Sequence, residues 1–421
     1  MKIRRALTRS MLGAVLFLGT ASCSERFLQV TNPNVIDAAT VDPSSSAATL
    51  AGSAQQSFAS AYGWLIMYSA WFTGEANVSD TFPTRNEFGY RLISDLNGSL
   101  NAEVWSPLSV AAAGTKIVVD LTFPNPTTNI HLERAALFRG YSIEMMAEMF
   151  CSGTLPANSV VGGPELTTAQ LLDSAIVWFG TAIDIGAATP ATDTASKTLA
   201  NAARVGRARA KLQKGDKAGA AADAAAVPAG FVYNMNYADD LTNRTRLSNR
   251  EWQYTFDRGS ISVAAAYQLA DPRTPYLDPS KHKLNPQDVV PGGFYIQQKY
   301  SGYASPIRLA SKLEADYIAA EANGTVAQLA LIQARRTANN QPAYAGATDA
   351  ASVLTEFFYQ RSLEFYLEGK KLGDFRRHPE AVQNVPVTGQ PYVKPGYVNV
   401  GSQTCFPIPR SERDNNPGMK T

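Results

Sequence analysis

The stretch LANAARVGRARAKLQKGDKAGAAADAAA, residues 199–226, decides the fold. Alanine and glycine recur so densely in it that two helices built from it can approach closely. Gly215 stops the first helix, because glycine takes the left-handed cap without a Cβ penalty, and Asp216 can cap the second, which runs on to Pro228. Over residues 197–213 and just beyond, Arg204, Arg207, Lys211 and Lys214 fall at steps of three and four. That stripe reads as the solvated face of an amphipathic helix.

The helical period continues outward from this pair. Residues 131–150 set Leu137, Tyr141, Met145 and Met149 four apart, and residues 167–186 place Leu171, Ala175, Trp178, Phe179, Ala182 and Ile183 on one face. Later, Leu309, Leu313, Tyr317 and Ala320 define a helix that Asn323-Gly324 ends. Thr325 to Arg336 forms its partner, and a further helix spans 350–369. Short antiparallel pairs faced by small residues are the tetratricopeptide pattern. The expected fold is mainly α: a tetratricopeptide-like helical repeat core, with pairs at about 131–228 and 307–370, long irregular loops and minor β. Residues 47–72 read as mostly helical, and the stretch to about 128 as irregular around Pro83, Pro107, Pro124 and Pro126. Residues 229–306 form an aromatic loop segment with Trp252, Tyr254, Phe256, Tyr267, Tyr276, Phe294, Tyr295, Tyr300 and Tyr303. Loops this long inside a domain are usually functional.

The N-terminus is read separately. Lys2, Arg4, Arg5 and Arg9 precede an apolar run from Met11 to Leu18, and Thr20, Ala21 and Ser22 lead into Cys23. This is a secretory signal peptide over 1–22, and a cysteine after small residues resembles a bacterial lipobox, which makes Cys23 the lipid attachment site. Residues 23–46, with Asn32-Pro33-Asn34, Asp42-Pro43 and Ser44 to Ser46, suit a flexible tether. Loss of 1–22 removes four of the 38 Lys+Arg and none of the 36 Asp+Glu, so the net charge moves from +2 to −2. A near-neutral body without a basic block argues against nucleic acid. No second apolar run of spanning length is expected. Cys151 and Cys405 then remain as an even pair in an exported chain. A disulfide is the favoured reading, and two separate buried thiols the alternative.

Three motifs in the C-terminal third, with one upstream, carry a family resemblance. IRLASKLEADYIAAEAN (307–323), RSLEFYLEGKKLGDFRRHP (361–379) and FPIPRSERDNNPG (406–418), together with ALFRGYSIEMMAEMFCSGTLP (136–156), resemble the SusD/RagB family of outer-membrane lipoproteins. Read on its own spacing, the second motif puts Arg361, Glu364 and Glu368 on one helical face. With Asp374, Arg376 and Arg377 it forms a charge network that clamps the last helix to the C-terminal segment. Structural ion pairs are preferred over an acid/base pair, and the resemblance implies the same.

Chemistry is sparse. Only His131, His282 and His378 occur, and no His-Glu-x-x-His, spaced cysteine pairs, Gly-x-Ser-x-Gly or phosphate-binding glycine loop is present. No metal, cofactor or catalytic residue is expected, although a glycosidase would need only two carboxylates. Sugar binding is the positive expectation, through aromatic rings beside Asn, Asp and Arg. Trp64, Tyr68, Trp71 and Phe72 have the spacing of a core helix. Trp71, nearest the helix end and followed by Asn77, Asp80 and Arg85, is the preferred stacking residue, with Trp252 and Tyr303 from the aromatic segment as further candidates. The resemblance implies a cell-surface lipoprotein that binds an oligosaccharide and delivers it to a SusC-like TonB-dependent outer-membrane transporter. A peptide or other non-glycan ligand, a tetratricopeptide-type envelope scaffold and a secreted hydrolase are the alternatives.

Overall fold

The computed structural model describes residues 43–157 and 162–420. The signal segment, Cys23 and the tether up to residue 42 lie outside the described residues. Helix α1 (Pro43–Thr73) opens on a proline, whose missing N–H costs nothing there. Residues 43–46, expected within the tether, are its first turn. The stretch expected to be irregular holds β1 (Ala76–Val78), α2 (Pro83–Gly89) and a π-helical turn (Leu100–Trp105) that runs into α3 (Ser106–Val119). Pro83 and Pro107 sit in the first turns of α2 and α3 and do not break them.

Helix α4 (Ile130–Met149) is capped by the Asn129 side chain, which accepts from the N–H of His131 and Leu132, and is buried on nearly every face. A hairpin follows, β2 (Ser152–Pro156) against β3 (Gly162–Thr167). Next come α5 (Thr168–Ala188), with a Thr167/Gln170 capping box, α6 (Thr194–Lys214) and α7 (Lys217–Ala225). Gly215 takes φ +91° at the end of α6, and the Asp216 carboxylate accepts from the Gly219 N–H. Helices α4, α5, α6 and α7 pack in sequence. A Cβ at Gly140 or Gly206 would strike the Phe179 ring, so glycine sets how closely α4 and α6 approach α5. By length and composition α5 could cross a membrane, contrary to expectation, but Leu171, Ala175, Phe179 and Ala182 are its buried face in this stack. The basic stripe of α6 is also only partly solvated: Arg207 and Lys211 reach Asp223 of α7 at 2.6 and 2.8 Å.

The aromatic segment contains β4 (Val232–Met235), α8 (Arg244–Leu247), α9 (Arg250–Phe256), β5 (Ile261–Val263), β6 (Tyr276–Leu277) and β7 (Ile296–Gln297). Strand β8 (Ile307–Ser311) completes the β-structure, and the antiparallel pairs are β1–β5, β4–β8 and β6–β7. Leu309, expected in a helix, belongs to β8, because residues 307–311 pair with β4. The helix α10 (Lys312–Asn323) starts afterwards, capped by Ser311, and pairs with α11 (Thr325–Ala338). Next are α12 (Ala350–Glu364), α13 (Lys371–Arg377) and, near the C-terminus, α14 (Arg410–Asn415).

The charged motif is interior, but not arranged as its spacing suggests. Helix α12 ends at Glu364 and Leu367 takes φ +53°, so Glu368 leaves the helix. Arg361 pairs with Asp374 at 2.7 Å, and Glu364 with Arg335 and Arg273 at 2.8 and 3.1 Å. Glu368 holds Lys299 and Arg308 at 2.7 and 3.0 Å. Arg377 grips Glu321 at 2.9 Å and Asp374 at 2.8 Å; against the upward push of burial, it draws Glu321 down to about 2. Arg376 donates to the carbonyls of Ala147, Glu148 and Phe150, so this clamp grips the end of α4, not the C-terminal segment. A second buried set places Arg209 at 2.9 Å from Glu144 and against Glu148, with Lys370 at 3.0 Å from Glu314. Burial raises Glu144, while Arg209 outweighs burial at Glu148 and lowers it. Removing one partner of such a buried pair strands an uncompensated buried charge, which is strongly destabilising.

The C-terminal segment is tied in covalently. Cys151 and Cys405 form a disulfide with Cα atoms 5.1 Å apart. Phe406 exchanges backbone bonds with Met149 and Cys151, and its ring packs 5.0–5.6 Å from those of Phe72, Phe88 and Phe150.

Candidate functional site

Where α1 ends, the chain opens a cleft of about 350 Å³. Gly74 makes the turn at φ +72°; a Cβ there would lie 2.7 Å from the Asn384 carbonyl. One wall comprises Trp71, Ala76 and Asn77, with Ala264 and Ala266 behind β5. The facing wall is the loop 384–393 with Val400. Apolar groups dominate the lining, and Asn77, Asn384 and Gln390 supply the polar points. No carboxylate and no histidine lines it.

The loop wall is preformed although it contains no regular element. Lys371 Nζ donates to the carbonyls of Thr73 (2.8 Å) and Asn384 (3.1 Å), stapling the two walls together. Burial lowers the Lys371 ammonium to about 8, with Glu75 opposing the shift. Arg91, itself at φ +54°, donates to Pro386 O at 2.6 Å and twice to Gln403 O. Its guanidinium sits between the Phe72 and Phe375 rings, at 5.5 and 5.0 Å. Gly389 N–H bonds Val400 O and Val400 N–H bonds Gln390 O, closing the loop on itself. Lys394 Nζ donates to Asp80 O at 2.8 Å and to Asn86 Oδ1 at 3.0 Å, and pairs with Asp288.

Tyr392 of this wall belongs to a cluster of three tyrosines. Tyr90, Tyr392 and Tyr397 stand 5.6–6.1 Å apart in edge and tilted contacts. Gly89 is required beneath them, since a Cβ would collide with the Tyr392 hydroxyl. Burial raises all three phenols, with Glu87 adding at Tyr90 and Asp288 at Tyr397, so they stay neutral donors at physiological pH.

The residues singled out from sequence are divided by the structure. Trp71 and Asn77 line the cleft, but Trp71 is 1% exposed and packs edge-on to Tyr68, so it is a core residue at the cleft floor and not an open stacking platform. The helical spacing of Tyr68, Trp71 and Phe72 has core burial as its result; Trp64 is half-buried under the Arg250 guanidinium at 4.3 Å. Asp80 and Arg85 pair at 2.6 Å behind the cleft. Asp80 also accepts from Ser260 Oγ and the Phe82 N–H, and Arg85 reaches Glu103 at 2.8 Å, so both are structural. Trp252 and Tyr303 do not line the cleft. They form a separate half-buried patch in which Trp252 stacks on Phe256 at 3.6 Å, Arg244 covers Tyr303 at 3.9 Å and Tyr303 donates to Asp257. Sequence reasoning missed Gln390 and Tyr392; their signal is the Gly- and Pro-punctuated aromatic run GQPYVKPGY at 389–397. Among the described residues, no cluster of three His, Cys, Asp or Glu side chains is placed to hold a metal.

No family model and no curated protein matches the sequence. Solved structures do share the fold. Surface glycan-binding protein A from Bacteroides fluxus is 13% identical, with 89% of this chain and 97% of that chain covered and a TM-score of 0.67. A SusD-like carbohydrate-binding protein from Bacteroides vulgatus is 14% identical (89% and 96% covered, TM-score 0.66). A SusD/RagB family protein from Bacteroides thetaiotaomicron is 13% identical (89% and 94% covered, TM-score 0.64).

Proposed function

Because the chain carries the SusD/RagB fold, we propose that it is a non-catalytic, cell-surface lipoprotein that binds an oligosaccharide in the cleft and passes it to a TonB-dependent outer-membrane transporter. The supporting observation is the cleft itself: a preformed, apolar-walled slot with amides at its polar points, Tyr392 in its loop wall and no carboxylate or histidine in its lining. Such a site suits sugar rings, whose C–H faces stack on aromatics while their hydroxyls meet amides and phenols. It has no general acid to protonate a glycosidic oxygen. The carbohydrate-binding proteins of the same fold support the ligand class. Attachment runs through Cys23, and Cys23→Ser should release the chain from carbonate-washed membranes; full retention would exclude lipid anchoring.

The ligand reading is tested with the full chain on a broad glycan array, followed by calorimetric titration of the best binder. Gln390→Ala should weaken binding with the melting temperature unchanged, because its exposed side chain lines the cleft. The loss is about 0.5–1.5 kcal/mol, the net worth of one neutral hydrogen bond. A silent array alongside measurable peptide binding would move the reading to peptide uptake.

A further inference from the structure

Among the described residues, the cleft lining carries no charge of either sign: it lacks lysine and arginine as well as carboxylates and histidine. Its polar points are three side-chain amides, Asn77 of β1 on one wall and Asn384 and Gln390 on the other. None of these side chains makes a hydrogen bond with any described residue. Asn77 is half-buried and the other two are exposed, so each amide keeps a donor and an acceptor open to a ligand. The apolar surface within a ligand's reach is mainly aliphatic. Trp71 and Tyr392, the two aromatic side chains of the lining, are 1% and 9% exposed, whereas Val387 and Val393 are 64% and 40% exposed.

Such a lining discriminates among sugars by their substituents. A charged substituent would give up hydration against these walls and gain no counter-ion, which disfavours uronates, sulfated rings and free amino sugars. A ring bearing hydroxyls alone satisfies the amides but leaves the valine methyls against polar groups. An acetamido substituent meets both sets at once, with a methyl for the valines and one N–H and one C=O for the amides. A side-chain amide matches it group for group, donor to acceptor and acceptor to donor. The cleft, at about 350 Å³, holds about one ring with its substituent. Resting on the oligosaccharide reading of the cleft, we propose that the ring it selects is an N-acetylhexosamine. The acetyl methyl lies against Val387 and Val393, and the acetamide pairs with the side-chain amides of the cleft.

The test is ligand-observed saturation-transfer NMR titration of the full chain with N-acetyl-D-glucosamine and N-acetyl-D-galactosamine. Each is compared with its parent hexose, with its free amine at about pH 6, where the ammonium is charged, and with L-fucose, which has a methyl but no amide. The better N-acetylhexosamine should bind about tenfold or more tightly than every comparator, because methyl burial and amide pairing add. Its acetyl methyl should take up more saturation than any other proton of the sugar. Val387→Ser should lower that affinity by about threefold with the melting temperature unchanged, since the side chain is exposed. Asn77→Leu keeps the side-chain volume and the backbone pairing with Ser262, and should lower it by about fivefold, the worth of one neutral hydrogen bond. Acetylated sugars that bind no more tightly than the comparators, or binding indifferent to both substitutions, would overturn the proposal. Binding of unacetylated glycans in the cleft would then leave the oligosaccharide reading standing, whereas silence toward every glycan would overturn both.

Discussion

Trp71 and Tyr392 meet the same cleft from opposite walls, and they are held by opposite means. Trp71 belongs to a helix buried by area, on which Tyr62, Leu65, Ile66, Tyr68 and Phe72 are fully buried as well. Tyr392 belongs to a loop with almost no regular backbone pairing, fixed at points where Lys371, Arg91 and Lys394 donate to carbonyl oxygens. The first wall is stabilised by apolar surface removed from water, roughly in proportion to area. The second depends on a few buried cations: Lys371 and Arg91 donate to the Asn384, Pro386 and Gln403 carbonyls, and Lys394 shares the Asp80 carbonyl with the Asn86 amide. A helical wall should therefore lose stability with every removed atom, and a loop wall should fail all at once when one staple goes.

The largest effect tests where the loop wall is finally anchored. Cys151→Ser with Cys405→Ser opens a closure of 254 residues. The chain-entropy relation assigns about 5 kcal/mol to a loop of that length, an upper bound. Denaturant melts of the variant should fall by several kcal/mol, and glycan affinity should fall with them, because residue 405 ends the segment that carries the loop wall. Unchanged affinity in a destabilised variant would show that the cationic staples alone hold the wall. Next, Trp71→Ala should cost about 3–5 kcal/mol through the cavity it leaves. Trp71→Phe should cost much less, since the indole Nε1 has no hydrogen-bond partner to lose. Arg91→Met keeps the stem between Phe72 and Phe375 but strands the Pro386 and Gln403 carbonyls, at about 1–3 kcal/mol. Its larger consequence should be in binding, and titration of the cleft ligand reads it directly.

The same contrast explains what was legible in the chain. The α6–α7 pair could be read because glycine, aspartate and alanine act locally: Gly215 has to be left-handed and Asp216 caps three residues on. The motif at 361–374 was legible as charge but not as geometry. The break at Leu367 depends on tertiary contacts, among them the Leu367 N–H bond to the Glu75 carboxylate nearly three hundred residues away. Leu309 read as helical because its spacing to Leu313 and Tyr317 is helical, yet pairing of β8 with β4 decided it. Of the cleft, only the helical wall had a periodic signal, and that signal named Trp71, the residue burial removes from direct service. The loop wall that carries Tyr392 has no period, because it is positioned by side-chain donors from Arg91 just beyond α2, from Lys371 of α13 and from Lys394 in the loop that follows. The prolines at 83 and 107 misled for a related reason: proline ends a helix or starts one, and the sequence around it does not always say which.

The smallest of these effects separates the helical stack from the loop wall by pH. Glu133 of α4 is fully buried; one oxygen accepts from Ser196 Oγ at 2.6 Å and the other has no partner. Burial raises its carboxyl from 4.5 to about 7, with the nearby Asp193 adding and the Ser196 bond opposing. The folded state therefore keeps a proton between these two values that the unfolded state releases. The contribution of this group to stability is fully present below about pH 4.5, falls as the pH rises through the window, and is lost above about 7. Glu133→Gln removes that decline. It should match the parent near pH 4 and exceed it near pH 8 by about 1–2 kcal/mol, discounted for solvent screening. Arg91→Met should shift the whole curve without changing its slope there, because a guanidinium remains charged throughout. Thermal melts at half-unit pH steps distinguish the two patterns. A parallel curve for Glu133→Gln would mean that the carboxyl is hydrated in the folded state, and that the helical stack is less dry than its burial indicates.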